Sequence, residues 1–145
     1  MPFSPLFMST FQETLRHAED WLKPLSATLA CDIQRAYHGL RAVLQTLRDR
    51  LTVDESAHLA SHMPMLIRGI FYEGFTPTGK PIKMKNREEF YTTILRQFDL
   101  NDPIAVEALV RAVFAVLAAK VPAGEIKDVI HNLPNDLREL WPTTA

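Results

Sequence analysis

Apolar residues in this chain return at intervals of three and four, the spacing of one face of a helix, and almost never alternate as a strand would. Thr10 and Glu13 read as a capping box opening a first helix, in which Phe11, Leu15, Ala18 and Leu22 share a face until Pro24 stops the run. Asp32 caps a second helix with Leu40, Val43, Leu44, Leu47 and Leu51 on its stripe. Thr52 and Glu55 open a short third helix that ends before Pro64, and a fourth begins there with Ile67 and Ile70 facing inward.

The same sentence is then written again. Shifting the chain by 70 residues lays 36–71 over 106–141 without a gap, with Arg41, Ala42, Val43, Leu47, Glu55, Pro64 and Arg68 falling on Arg111, Ala112, Val113, Leu117, Glu125, Pro134 and Arg138. Asp102 and Pro103 stand where the second helix of the repeat should start, Pro122 and Glu125 where the third should, and Phe90 to Phe98 supplies a shorter lead-in helix. Between the copies Gly74, Pro77, Gly79 and Pro81 forbid a helix. The fold class is therefore all-α, a bundle of about eight helices built from two related four-helix copies, 10–72 and 87–141, joined by a connector at 73–86. Units this small bury little alone, so the copies are expected to share a core as one globular unit, in a pseudo-twofold arrangement.

In each copy a glutamate, Glu55 or Glu125, precedes by 13 residues an arginine, Arg68 or Arg138. A guanidinium fork suits a carboxylate, so these pairs are expected to act as structural brackets between the third and fourth helices; the functional alternative makes the two arginines an anion site. The recurring pattern runs Arg41-Ala42-Val43 to Leu47, Glu55, then Met63-Pro64 to Ile67-Arg68. It returns as Arg111-Ala112-Val113 to Leu117, Glu125, then Leu133-Pro134 to Leu137-Arg138. In these residues the chain resembles the bacterial domain-of-unknown-function family 2267 over roughly 11–141, with Met63 replacing the usual leucine. The resemblance implies an all-helical, two-copy bacterial protein with no established activity, substrate or catalytic residue.

The copies differ on one face. Opposite the core stripe of the second helix stand His38, Ala42, Gln45 and Asp49, an ordinary solvated surface; the repeat has Ala108, Ala112, Ala115 and Ala119 there. With Ile104, Val106, Leu109 and Val116, 15 of the 18 residues from Ile104 to Val121 are apolar, which predicts a helix buried on all sides. Glu107, Arg111 and Lys120 argue against a membrane span. Alanine is also simply the best helix former, but the sharper expectation is an interface, where small side chains admit another helix closely: the first helix of this chain, or a second molecule.

Composition narrows the chemistry. The 145 residues carry 16 basic and 17 acidic side chains, a formal charge of −1, so no global field favours nucleic acid or anionic lipid. A single cysteine, Cys31, excludes an internal disulfide framework and suits a reducing, cytoplasmic setting, and nothing at the start reads as an export signal. Cys31 is expected to be a small core residue. Glu55, His58 and His62 are spaced to put a carboxylate and two imidazoles along one side of a helix, a candidate metal site for a metal-dependent enzyme or sensor; the plainer reading leaves them on the surface. Lys80, Lys83, Lys85 and Arg87 place four positive charges in the connector as a candidate anion contact, or a solvated loop with Ile82 and Met84 tucked inward. No glycine-rich phosphate loop or nucleophile–base pair is spelled out. The expectation is an interaction or scaffold module without catalytic activity or cofactor, whose partner is a protein or a second copy rather than a membrane, nucleic acid or identifiable small molecule.

Overall fold

The computed structural model describes residues 4–97 and 103–143. Among them are eight helices and no strand: α1 (Pro5–Leu29), α2 (Ile33–Arg50), α3 (Val53–Ala60), α4 (Met65–Tyr72), α5 (Arg87–Gln97), α6 (Pro103–Lys120), α7 (Ala123–His131) and α8 (Asn135–Arg138). The class is all-helical, as the spacing predicts. Asp102 and Phe98 lie outside the described residues.

Local chemistry sets most of the boundaries. The Asp32 carboxylate accepts from the Arg35 amide at 2.8 Å, and the Thr52 hydroxyl from the Glu55 amide at 3.2 Å, each satisfying a donor that a helix start leaves open. Pro64 and Pro134 occupy the cap positions of α4 and α8, with extended backbone.

The first helix departs from the expectation. It begins after Ser4, whose hydroxyl accepts from the Phe7 amide, and it runs through Pro24 to Leu29. Thr10 is no cap: its hydroxyl donates back to the Leu6 carbonyl at 3.2 Å, while Glu13 pairs with Arg16 at 3.1 Å. A proline inside a helix costs about 3 kcal/mol. Trp21 and Leu25, on either side of Pro24, are both buried, and their packing offsets that cost.

Helices α2 and α6, each 18 residues long, form the centre. Both α1 and α5 lie against both of them, and α3 touches α7. Gly39 of α2 meets Leu109 of α6, two positions 70 apart. A Cβ on Gly39 would stand only 2.6 Å from Leu109 Cδ1, so the glycine lets the two central helices cross closely. The expected stripes are both buried: Leu40, Val43, Leu44, Leu47 and Leu51 on one side, Val110, Val113, Phe114, Leu117 and Val121 on the other, in one continuous core. Phe114 is fully enclosed, stacked on Trp141 with ring centroids 4.1 Å apart and 6.2 Å from the Phe90 ring.

The contrast expected between the two outer faces is reversed. Of the four α2 positions, His38 alone is exposed; Ala42 and Gln45 are buried and Asp49 is half-buried. The reason is a cover the stripe could not reveal: α4 packs on α2, and Gln45 donates to the Ile70 carbonyl at 2.9 Å. On α6, Ala112 is buried but Ala108, Ala115 and Ala119 are exposed, so this apolar helix is not enclosed on all sides.

The connector after Tyr72 is held down from α2. Gly74 and Gly79 take left-handed backbone at φ 73° and 79°, the Ile82 amide donates to the Asp49 carbonyl at 2.7 Å, and Arg50 donates to the Met84 carbonyl at 3.1 Å. Met84 is buried as expected, whereas Ile82 remains 42% exposed. Cys31 is partly buried against the core.

Candidate functional site

A polar concavity lies where α3 meets α7. Glu55, His58, Glu125, Asp128, His131 and Asn132, floored by Val129, line a groove of about 210 Å³. Its pairs Glu55/Glu125 and His58/Asp128 are positions 70 apart, brought together because α3 and α7 touch. The volume is below the roughly 300 Å³ at which small-molecule pockets usually begin. Its lining brings three carboxyl groups and two imidazoles together.

His62 is not part of it. Helix α3 ends at Ala60, so His62 falls in the following turn and lines a separate cleft with His17, Asp20, Trp21, Pro64 and Lys120. The helical spacing that would have aligned it with Glu55 and His58 stops two residues too early. Among the described residues no three His, Cys, Asp or Glu side chains are placed to hold one metal ion, so the alternative reading of Glu55, His58 and His62 as a three-ligand set is corrected accordingly.

The expected glutamate–arginine brackets are also replaced by another contact. Arg68 donates from Nε to the Ala60 carbonyl at 3.0 Å and from Nη2 to the Met63 carbonyl at 2.9 Å. Arg138 does the same to Leu133 at 2.7 Å and His131 at 2.7 Å. Among the described residues neither arginine pairs with Glu55 or Glu125. Each glutamate sits in the first turn of its helix, while the arginine reaches the far end, where carbonyls lack intrahelical partners. The arginines still fix the corner into the next helix, but through backbone carbonyls.

The connector cations divide in the same way. Lys80 lies 3.6 Å from Asp49 with a side chain only 10% exposed, and Arg87 is engaged on all sides; Lys83 and Lys85 remain exposed. The four do not form one anion-facing patch.

Arg87 instead centres a network that the sequence did not disclose. It donates to Glu107 at 3.0 Å, to Asp136 at 3.2 Å from Nε and 2.7 Å from the backbone amide, and to Glu139 at 2.9 Å. These carboxylates come from α6 and from the α8 region, so one guanidinium ties the start of α5 to both. The Tyr91 hydroxyl donates to Glu107 at 2.9 Å, and Arg111 adds a weaker bond at 3.4 Å. Burial and this donation push the Tyr91 phenol up; the Tyr91 hydroxyl, with Arg111 and Arg87, holds the Glu107 carboxyl below the usual carboxylate range despite some desolvation.

A depressed carboxylate adds stability that is fully present above its unfolded pKa, near 4.3, and is lost as pH falls through the folded value. Melting temperature measured from pH 7 to pH 3 should therefore drop less steeply below about pH 4.3 in Glu107→Gln than in the parent chain. Parallel acid limbs for the two proteins would contradict the network's contribution.

Among the described residues no helix is long and apolar enough to cross a membrane. No curated protein matches the chain. Residues 18–140, from the first buried residue of α1 to the last turn before Trp141, match the family model described as an uncharacterized conserved protein (DUF2267), and the chain belongs to that family.

Proposed function

We propose that this protein is a helical interaction module of the bacterial cytoplasm that works by surface contact and associates with a second copy through the alanine face of α6. One observation carries this reading: Ala108, Ala115 and Ala119 are exposed on a helix whose Val106, Leu109, Val110, Val113, Phe114, Val116 and Leu117 are all buried. Three small side chains at helical spacing leave a shallow track on which another helix can lie at about 8 Å, the close end of helix packing. The repeat supports the same reading. Positions 70 apart meet at Gly39 and Leu109 and at Glu55 and Glu125, as in a duplicated unit folded on itself about a pseudo-dyad, its halves occupied with each other and its outer faces left for partners. The single free Cys31 fits a reducing compartment.

Light scattering on the purified protein tests the proposal. The parent chain is expected to exceed monomer mass. Ala108→Glu combined with Ala115→Glu, both exposed positions, is expected to weaken association at least about tenfold with melting temperature nearly unchanged. A monomeric parent, or an assembly indifferent to the two glutamates, overturns the α6 interface.

A further inference from the structure

The cleft that takes in His62 is built from three separate elements. His17, Asp20 and Trp21 share one side of α1, three and four residues apart. With His62 and Pro64 from the turn before α4, and Lys120 at the end of α6, they line a space of about 240 Å³. Unmatched polarity marks this lining. Elsewhere on α1, Glu13 pairs with Arg16 at 3.1 Å and Glu19 with Lys23 at 3.4 Å. Among the described residues, by contrast, no side-chain hydrogen bond or ion pair engages His17, Asp20, His62 or Lys120.

Trp21 adds an observation of a different kind. It is only 4% exposed, and among the described residues its indole N–H has no acceptor. The fully enclosed unpartnered groups among those residues are Arg41 Nε and Trp141 Nε1, so the Trp21 N–H is not sealed in, and the edge of Trp21 that reaches the surface lines this cleft. A buried indole usually finds a partner for its N–H. Here that partner has to come from the cleft. We infer that the cleft binds a phosphate group, held by the Trp21 N–H, the His17 and His62 imidazoles and the Lys120 ammonium, with Asp20 accepting its proton.

The lining chemistry selects this ligand. An indole and an ammonium only donate, and an imidazole keeps at least one N–H in either protonation state, so four donors border the space. Pro64 starts α4 with no side-chain cap, which leaves the positive end of that helix at the same wall. Such donors suit an oxyanion, and Asp20, an acceptor, decides which one. A phosphate, whose second pKa is about 6, still carries a P–OH at about pH 5.5 and can donate it to Asp20; sulfate has no proton to give and meets the carboxylate as a like charge. The volume is below the roughly 300 Å³ of pockets for drug-sized ligands, and suits a group this small. Binding here does not depend on association through α6.

Nuclear magnetic resonance of the full-length protein tests the site, because the chain has two tryptophans and the enclosed Trp141 serves as control. Trp141→Phe, which copies Phe71 at the matching position, assigns the two indole signals. Titrating sodium phosphate at about pH 5.5 should move the Trp21 indole signal along a saturable curve, with Kd on the order of 1 mM or tighter, and leave Trp141 in place. Sulfate should bind at least about tenfold more weakly, and Asp20→Asn should erase that difference. Lys120→Ala with His62→Ala, both exposed, should weaken phosphate binding at least about tenfold with melting temperature nearly unchanged. Methyl phosphate separates two sources of the group: binding at least as tight as that of inorganic phosphate marks a larger phosphorylated ligand, weaker binding marks free phosphate. A Trp21 signal that follows chloride or sulfate as readily as phosphate, that fails to saturate by about 20 mM, or that ignores the double substitution would overturn the site.

Discussion

Phe114→Ala is expected to cost about 3–5 kcal/mol and to lower the melting temperature by roughly 10 °C or more. Phe114 is fully buried within the second half of the chain: the Phe90 ring of α5 lies 6.2 Å away, and the Trp141 ring stacks on it at 4.1 Å and 14°. Removing the ring forfeits its transfer energy and leaves a void between residues 24 and 27 positions away in the chain, which local backbone movement cannot close. Urea unfolding should show a lower midpoint with unchanged slope, and Trp141 emission should report the looser pocket. Phe114→Leu should fall between parent and alanine, since it refills part of the space. A cost below about 1 kcal/mol would mean that the stack is peripheral to the shared core.

Phe114 was legible in advance, because the 70-residue shift lays it on Leu44 of the first stripe and helix stripes are a local property. So were the starts of α2, α3 and α4, each fixed by a cap or proline within a few residues. The course of α1 was not: Pro24 is a helix breaker locally, and only the burial of Trp21 and Leu25 against distant helices overrides it. The α2 face misled for a related reason. Gln45 looks solvated until Ile70, 25 residues on, supplies the carbonyl that satisfies it in a buried position.

The candidate groove was half visible. Spacing within α3 placed Glu55 beside His58, and the 70-residue shift lays Glu125 and Asp128 on them, so the apposition of α3 and α7 was the missing step. His62 failed because a spacing argument assumes that the helix continues, and α3 stops at Ala60. The Arg87 network left no local trace at all. Its partners lie 20, 49 and 52 residues away, and a charged residue at the end of a basic loop reads as solvated until the fold supplies carboxylates around it.

Arg48→Ala should be the second most damaging substitution, at about 2–4 kcal/mol. The Arg48 residue is 5% exposed and donates from Nη1 to the carbonyls of Phe71 and Glu73, both at 2.9 Å, just where α4 runs out of intrahelical donors. Its Nε and Nη2 hold Asp49 at 2.8 and 3.1 Å, and its guanidinium lies 5.2 Å from the Phe75 ring. One side chain thus ties the end of α4 and the start of the connector onto α2. Alanine would strand two carbonyls and leave Asp49 with Lys80 as its remaining cation. Lysine keeps the charge but not the fork, so Arg48→Lys should recover only part of the loss. The consequence reaches the exposed cations: with the tether gone, trypsin should cut after Lys83 and Lys85 several-fold faster than in the parent, while sites in α2 and α6 stay protected. Unchanged cleavage alongside a lowered melting temperature would mean that Arg48 supports the core without holding the connector, and that the bonds from Asp49 and Arg50 to Ile82 and Met84 suffice to keep it in place.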